Sequence, residues 1–310
     1  MKVLSLFDGI SCGMVALDRA GIKVDRYVAY EIEPNAIKIS RKNYPQIEHC
    51  GDVTTADFTK YKDFDLLIGG SPCTEWSNAK CHTAKIKKET DINQGVGWHL
   101  FMEYVRAKEK TSPTYFLYEN NYRISKKIED AISEKLGVKP ILINSALVSA
   151  QNRKRLYWTN IPNITQPKDK GISVKDILVD DISLVKHFDD RIKNTMIECN
   201  NYIKYDLGGK GHYSQQDRLY YLDKKMPTVP RCRTETKLNV YLGGEIYKKT
   251  CPVECERLQT LPDDYTKYGV DNENNIKEVP KTRRFEAIGN SWTVDVVAHI
   301  FSFLPNKYKK

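Results

Sequence analysis

Lys2-Val3-Leu4-Ser5-Leu6-Phe7-Asp8-Gly9-Ile10-Ser11-Cys12-Gly13 opens with an apolar run that stops at an acid and a glycine. Such a run, without polar alternation, predicts a short buried strand, and Asp8 to Gly13 predicts a tight turn. Met14 to Ala20 has helical character and stops at Gly21. The unit then repeats. Val24 to Tyr30 reads as a second strand ending at Glu31, and Pro34-Asn35-Ala36-Ile37 opens a second helix. Gly51-Asp52-Val53 sits where a third strand should end, and Phe64 to Ile68 is a fourth strand, closed by Gly69-Gly70-Ser71-Pro72-Cys73. Strands alternating with helices at this spacing predict an α/β fold with a parallel, doubly wound sheet.

Ligands in such sheets bind at the carboxyl ends of the strands. Three of these ends carry Asp8-Gly9, Glu31 and Asp52. Glycine lets a backbone approach a ligand closely, and an acid at the end of strand two suits the two hydroxyls of a ribose. Asp52 could accept from an adenine amino group. The glycines do not follow Gly-x-Gly-x-x-Gly, so one nucleoside-bearing ligand fits better than a dinucleotide. Turn glycines with no ligand at all are the plainer alternative.

Composition sets the outer bounds. A chain of 310 residues with 40% hydrophobic and 29% charged residues has enough material for one large domain or two small ones, and is neither disordered nor collagenous. No apolar run approaches the ~18–20 residues of a membrane helix. The first residues are too short for a signal peptide, so a cytoplasmic protein is expected. Lys and Arg outnumber Asp and Glu by 49 to 40, a net +9 that favours a polyanionic partner. Eight cysteines contain no Cys-x-x-Cys pair, and Cys251 and Cys255 lack a second pair. Reduced thiols and no metal are expected.

From Gly70-Ser71-Pro72-Cys73 onward the chain resembles the DNA cytosine-5 methyltransferase family, and the resemblance covers nearly its whole length. Phe7-Asp8-Gly9-Ile10 with Gly13 is similar to the family's first motif, Tyr30-Glu31-Ile32-Glu33 to the second and Gly51-Asp52-Val53 to the third. Ser71-Pro72-Cys73 matches the nucleophile motif, Tyr118-Glu119-Asn120 the motif of the catalytic glutamate, and Gln151-Asn152-Arg153-Lys154-Arg155 the family's Gln-x-Arg-x-Arg. Cys251 to Gln259 looks like the ninth motif and Gly289-Asn290-Ser291 like the tenth. Phe7 to Ile10, Val24-Asp25-Arg26-Tyr27 and Ser291-Trp292 are closer to the animal de novo branch, whereas the ninth motif is closer to bacterial and phage enzymes. Thr74-Glu75-Trp76-Ser77 replaces the commoner Gln-x-Phe-Ser.

The resemblance implies a Rossmann-like S-adenosylmethionine-dependent methyltransferase of class I with a second, smaller recognition domain. The catalytic domain would comprise 1–162 and 275–310, and the target-recognition domain 163–274. The cofactor, S-adenosylmethionine, would lie on Phe7, Asp8, Gly9, Ile10, Ser11, Cys12, Glu31, Ile32, Asp52, Val53, Pro72, Asn290, Ser291 and Trp292. The substrate would be a cytosine flipped out of double-stranded DNA, since a base inside a duplex cannot reach such a pocket.

The chemistry asks for these residue types. Cytosine C5 is a poor nucleophile, and a bond at C6 to a soft nucleophile pushes electron density onto it; the Cys73 thiolate suits that step. Attack charges the ring, which protonation at N3 relieves, and Glu119, following the apolar strand Tyr115 to Tyr118, is the acid. Arg153 and Arg155 alternate on an extended segment, so both are expected on one face as donors to the base oxygen, phosphate or a carboxylate. The basic segment 78–99, with Gly95-Val96-Gly97 as a hinge-like end, is suited to covering the base.

Regular alternation is lost from Pro162 to about Thr250. Residues 163–200 hold six basic and seven acidic residues, and 201–250 hold ten and five. The basic surface is thus concentrated late, mixed with tyrosines, turns and short strand candidates such as Arg218 to Leu222. DNA contacts are expected at Ser77, Lys80, Gln151, Arg231 and Arg233, the last two as possible guanine readers. Two rivals remain: a transfer RNA cytosine-5 methyltransferase of the same fold, disfavoured by the recognition region, and a dead regulatory relative, disfavoured by intact Cys73 and Glu119.

Overall fold

A computed structural model of the chain describes residues 1–72, 95–188, 190–205, 218–232 and 238–310, excluding the side chains of 190–192. They fall into two compact units. One comprises Met1–Ile143, Lys154–Gln166 and Val297–Lys310; the other comprises Asn144–Arg153 and Pro167–Val296.

The first unit begins with β1 (Lys2–Leu6), α1 (Cys12–Arg19), β2 (Arg26–Tyr30), α2 (Pro34–Asn43), β3 (Glu48–His49) and β4 (Leu66–Gly69). It continues with α3 (Val96–Thr111), β5 (Tyr115–Asn121), α4 (Lys126–Leu136) and β6 (Ile141–Asn144). After β7 (Gln151–Asn152), which lies in the second unit, the chain returns through β8 (Lys154–Thr159). The sheet order is β3-β2-β1-β4-β5-β8-β6. β1 to β5 pair in parallel, and β8 runs antiparallel to β5. The chain therefore walks outward from β1 to β3 and then crosses back to β4 on the other side of β1. That reversal leaves a crevice-forming switch point at the carboxyl ends of β1 and β4, where doubly wound sheets bind ligands.

The expected α/β class is the one adopted, for the expected reason. Val3, Leu4, Leu6, Val28, Leu66, Leu67 and Ile68 are completely buried, so the central strands have no solvent face. Tyr104 and Phe101 of α3 pack against Tyr118 of β5 at ring-centroid separations of 4.9 and 5.1 Å. Each large apolar side chain enclosed in this way contributes roughly 1.5–3 kcal/mol. Pro34 occupies the first turn of α2, where its missing N–H costs nothing, and Arg41 and Lys42 complement the dipole at the other end.

Several boundaries differ from the sequence expectation. β3 has only two residues and ends at His49, so Asp52 is no strand terminus. Asp52 caps a short 3-10 turn over Val53–Thr55 instead, because its Oδ1 accepts from Thr54 N at 2.9 Å. β5 runs three residues past Tyr118, which places Glu119 inside the strand rather than after it. Gly95 caps α3, and Val96 and Gly97 form its first turn, where a hinge-like segment was expected.

The second unit contains a sheet ordered β10-β11-β12-β14-β15-β9. Its strands are β9 (Val185–His187), β10 (Ile197–Glu198), β11 (Tyr202–Lys204), β12 (Arg218–Tyr220), β14 (Asn239–Gly243) and β15 (Ile246–Lys249); α5 (Asp190–Thr195) follows β9, and β13 (Met226–Pro227) pairs with β7. A hairpin of β16 (Tyr268–Val270) and β17 (Ile276–Glu278), with α6 (Pro252–Leu258) and α7 (Lys281–Asn290), completes it; α8 (Val294–Phe301) runs on into the first unit. Tyr220, Val229, Leu238, Val240, Leu258 and Phe285 belong to its core. Among the described residues no helix is long and apolar enough to cross a membrane.

Candidate active site

The turn after β1 is strained and rigidly held. Phe7 and Ser11 adopt left-handed conformations, φ 58° and 59°, on either side of Gly9 at 60°. Such a conformation costs a non-glycine residue about 1–3 kcal/mol, and only surrounding contacts can maintain it. Asp8 supplies them. Its carboxylate accepts from Ser5 Oγ at 2.6 Å, from Tyr27 OH at 2.7 Å and from Ser11 Oγ. Burial pushes the Asp8 carboxyl up while the three hydroxyls pull it down. The side chain thus faces the interior, and the turn offers a ligand its backbone rather than this acid. Ile10 and Cys12 are buried, Cys12 as the first residue of α1.

Glu31 stands at the end of β2. Its Oε2 accepts from Gly9 N at 2.7 Å, and its Oε1 accepts from Ile32 N and Glu33 N, both at 2.8 Å. Burial raises its pKa against these three amides. Ile32 is 69% exposed, an unusual state for a large apolar side chain at the edge of a parallel sheet, whereas Val53 is buried.

Between β4 and β5 the register sets Gly69 opposite Tyr118. Ser71 Oγ and Tyr118 OH are 2.6 Å apart, and Asn120 Nδ2 donates to the same phenol oxygen at 3.1 Å. Pro72 is exposed. Cys73, Ser77, Lys80 and the rest of the basic segment to 94 lie outside the described residues, as does Arg233.

Glu119 is matched with Tyr157 across the β5–β8 ladder, and Asn121 with Arg155. A two-residue offset keeps Arg155 and Glu119 on the same face, within reach of a long side chain. Arg155 Nε lies 2.9 Å from Glu119 Oε1. Arg153 does not join it, contrary to the expected common face. It falls at the break between β7 and β8, is buried, and donates to the carbonyls of Ser291 at 2.9 Å, Val229 at 3.4 Å and Gly289 at 3.5 Å.

Gln151, expected on DNA, is fully buried. Its Nε2 donates to Leu258 O and Gln259 Oε1, and its Oε1 accepts from Val229 N. A side chain so enclosed and bonded holds the second unit together and reaches no groove. Arg231 pairs with buried Glu286, with both Nε and Nη2 on Oε1 at 3.1 and 2.7 Å. Asn290 is exposed, Ser291 is buried with its carbonyl on Arg153 and Gln259, and Trp292 is half-buried; all three belong to the second unit.

The family model for C-5 cytosine-specific DNA methylases matches residues 1–305. The chain belongs to that family. The type II methyltransferase M.Bsp6I of a Bacillus strain is 24% identical over 97% of this chain and 97% of its own. M.FnuDI of Fusobacterium nucleatum, also a type II methyltransferase, is 26% identical over 90% and 89%. The orphan methyltransferase M.SPRI of Bacillus phage SPR is 31% identical over 52% of this chain, but that match spans only 38% of the phage protein. Among solved structures, S. pombe Dnmt2 methyltransferase is 18% identical, covers 97% of each chain and superposes with a TM-score of 0.65. The Entamoeba histolytica methyltransferase EhMeth, at 14% identity, covers 100% and 99% with a TM-score of 0.69, and shows the same fold.

Within this C-5 cytosine methylase chain, three structural roles lay outside the sequence reading. Tyr118 looked like one more apolar strand residue, yet its hydroxyl ties Ser71, two residues past β4, to β5. Gln259 links the ninth and tenth motifs, donating to Ile288 O and Ser291 O and accepting from Thr293 Oγ1. Gly289 is a close-approach glycine: a Cβ there would sit 2.3 Å from Pro230 O and 2.6 Å from Arg231 N. Only its place in Gly289-Asn290-Ser291, the stretch that looks like the tenth motif, hinted at the last.

Proposed function

We propose that this chain is an S-adenosylmethionine-dependent DNA cytosine-5 methyltransferase that acts on a cytosine flipped out of double-stranded DNA. The observation that carries the reading is the Glu119–Arg155 pair: an acid and an arginine fork held together at the strand that follows the Ser71-Pro72 turn, in a chain of this family.

The strand ends suit the cofactor. An ionised carboxylate has about four acceptor sites, and three at Glu31 are taken by amides, which leaves capacity for a ribose hydroxyl. Exposed Ile32 gives an apolar surface beside it for a purine ring, and Gly9 presents backbone without a side chain. The other contacts would come from Phe7 to Cys12, Asp52, Val53, Pro72 and Asn290 to Trp292. When bound, S-adenosylmethionine supplies an electrophilic methyl group.

The chain's own residues do the rest. Cys73 attacks C6 as a thiolate and loads electron density onto C5; once C5 carries the methyl group, loss of the C5 proton to a base or water expels the thiolate and restores the ring. Glu119 holds a proton at N3. In the free protein Glu119 is engaged by Arg155, so a bound cytosine has to draw the guanidinium towards its carbonyl oxygen before Glu119 can turn to N3. Residues 163–274 would read the target, with Arg231 and Arg233 as candidate readers and Ser77 and Lys80 as contacts from the covering segment. The type II relatives that match most of the chain support a role in restriction and modification.

A random double-stranded DNA pool incubated with the protein and S-adenosylmethionine should acquire 5-methylcytosine in one sequence context. Methyl incorporation into transfer RNA with none into DNA would overturn the proposal.

A further inference from the structure

A chain of hydroxyls runs from the cofactor turn to the end of β3. Ser11 Oγ donates to Asp8 Oδ2, Ser11 Oγ lies 2.5 Å from Ser40 Oγ, and Ser40 Oγ lies 3.1 Å from His49 Nε2. Asp8, Ser11 and Ser40 are buried, and Ser40 projects from α2. Each serine has one proton, so the direction of the chain is determinate. Ser11 gives its proton to Asp8, and Ser40 must then give its own to Ser11. The bond between Ser40 and His49 therefore has the imidazole as donor, with the proton on Nε2. This leaves Nδ1 as a bare acceptor, and Nδ1 is buried with no hydrogen-bond partner. The reverse direction would put an unpartnered N–H at that buried position, which proteins tolerate less well than an unpartnered acceptor.

We propose that His49 is a positioning residue for cofactor binding: through Ser40 and Ser11 it fixes the Asp8 carboxyl group, and so the strained turn Phe7–Ser11 whose Gly9 amide is clamped by Glu31. The inference rests on the cofactor role proposed for that turn. His49 touches no ligand itself. Without its N–H, Ser40 and Ser11 can rotate, Asp8 loses one aligned donor, and the left-handed conformations at Phe7 and Ser11 lose part of what maintains them.

The test compares His49→Phe, His49→Gln and Ser40→Ala with the parent protein. The readouts are calorimetric binding of S-adenosylhomocysteine and steady-state methyl transfer to DNA. His49→Phe and Ser40→Ala should weaken binding and raise the cofactor KM by about tenfold, the scale of one buried hydrogen-bonding group left without its partner, with kcat at saturating cofactor nearly unchanged. His49→Gln, which keeps a donor, should restore most of the loss. Thermal unfolding of each variant separates misfolding from misplacement. Parent-like binding by folded His49→Phe and Ser40→Ala overturns the inference, as does equal loss in His49→Gln. Failure of the parent protein itself to bind S-adenosylhomocysteine or S-adenosylmethionine would instead overturn the cofactor reading.

Discussion

Arg155 and Glu119 form an ion pair, 2.9 Å from Nε to Oε1, in which the side chains are only 13% and 12% exposed. Removing one member of a well-buried pair strands the other charge, at a cost of ~3–5 kcal/mol, and the partial exposure here brings the expected loss for Arg155→Ala to about 2–3 kcal/mol. Methyl transfer should fall by at least ~10²-fold, the usual scale for a displaced acid. Arg155→Lys should keep much of the stability and little of the rate, because an ammonium cannot present two donors in one plane. Urea unfolding and single-turnover kinetics on the same samples check both parts.

DNA carrying 5-fluorocytosine at the target should become irreversibly attached to Cys73 in the presence of cofactor, because fluorine cannot leave as a cation. Cys73→Ser should abolish both adduct and turnover. Peptide mapping that places the adduct on Cys12 or Cys81 would sink the assignment.

Glu31→Ala removes the acceptor of three amides and the expected partner of a ribose. Cofactor binding should weaken by ~1.5–3 kcal/mol, roughly ten- to a hundredfold. Titration calorimetry with an unchanged affinity would refute the ribose role.

His49 is held down to about 4 from an ordinary 6.5, first by burial and then by the nearby Arg41 charge. Between these two values the unfolded chain binds more protons than the folded one, so stability should fall as pH drops from about 6.5 towards 4. After allowance for partial exposure the contribution is ~1–2 kcal/mol. His49→Phe should flatten the pH dependence of the melting temperature across this window while carboxylate effects remain.

Gly289→Ala would force a methyl group into the backbone of Pro230 and Arg231, which cannot swing aside as a side chain could. A loss of ~1–3 kcal/mol is expected, together with a disturbed Arg231–Glu286 pair. If Arg231 reads DNA, the methylation profile of this variant should broaden at one position, as should that of Arg231→Ala; a uniform fall in rate would mark Arg231 as a structural clamp.

The sheet was legible because its signal is local. β1, β2 and β4 are short apolar runs closed by an acid or a glycine, so Asp8 and Glu31 could be set at strand ends from the sequence, while Asp52 and Glu119 were misplaced by a few residues. What escaped was the direction in which polar side chains turn. Asp8 and Gln151 look like ligand contacts in one dimension, yet both face inward, towards hydroxyls and amides contributed by residues up to 108 positions away. Arg153 and Arg155 were assigned to one face by strand periodicity, and the break in pairing at Arg153 removed the premise. The hydroxyl of Tyr118 carried no signal at all, since nothing in an apolar strand says where a single polar atom will find a partner.

The short stretch 226–231 is fastened at three successive points. Met226 and Pro227 pair with β7, Val229 bonds to Gln151, and Pro230 lies against the Cβ-free face of Gly289. For anyone exchanging target-reading segments between relatives, this makes 226–231 part of the socket rather than part of the plug. A chimera cut cleanly at the two ends of the recognition region would carry a foreign strip against β7, Gln151 and Gly289 of the host. One that keeps 226–231 with its host, and swaps the sequence on either side, preserves every fastening.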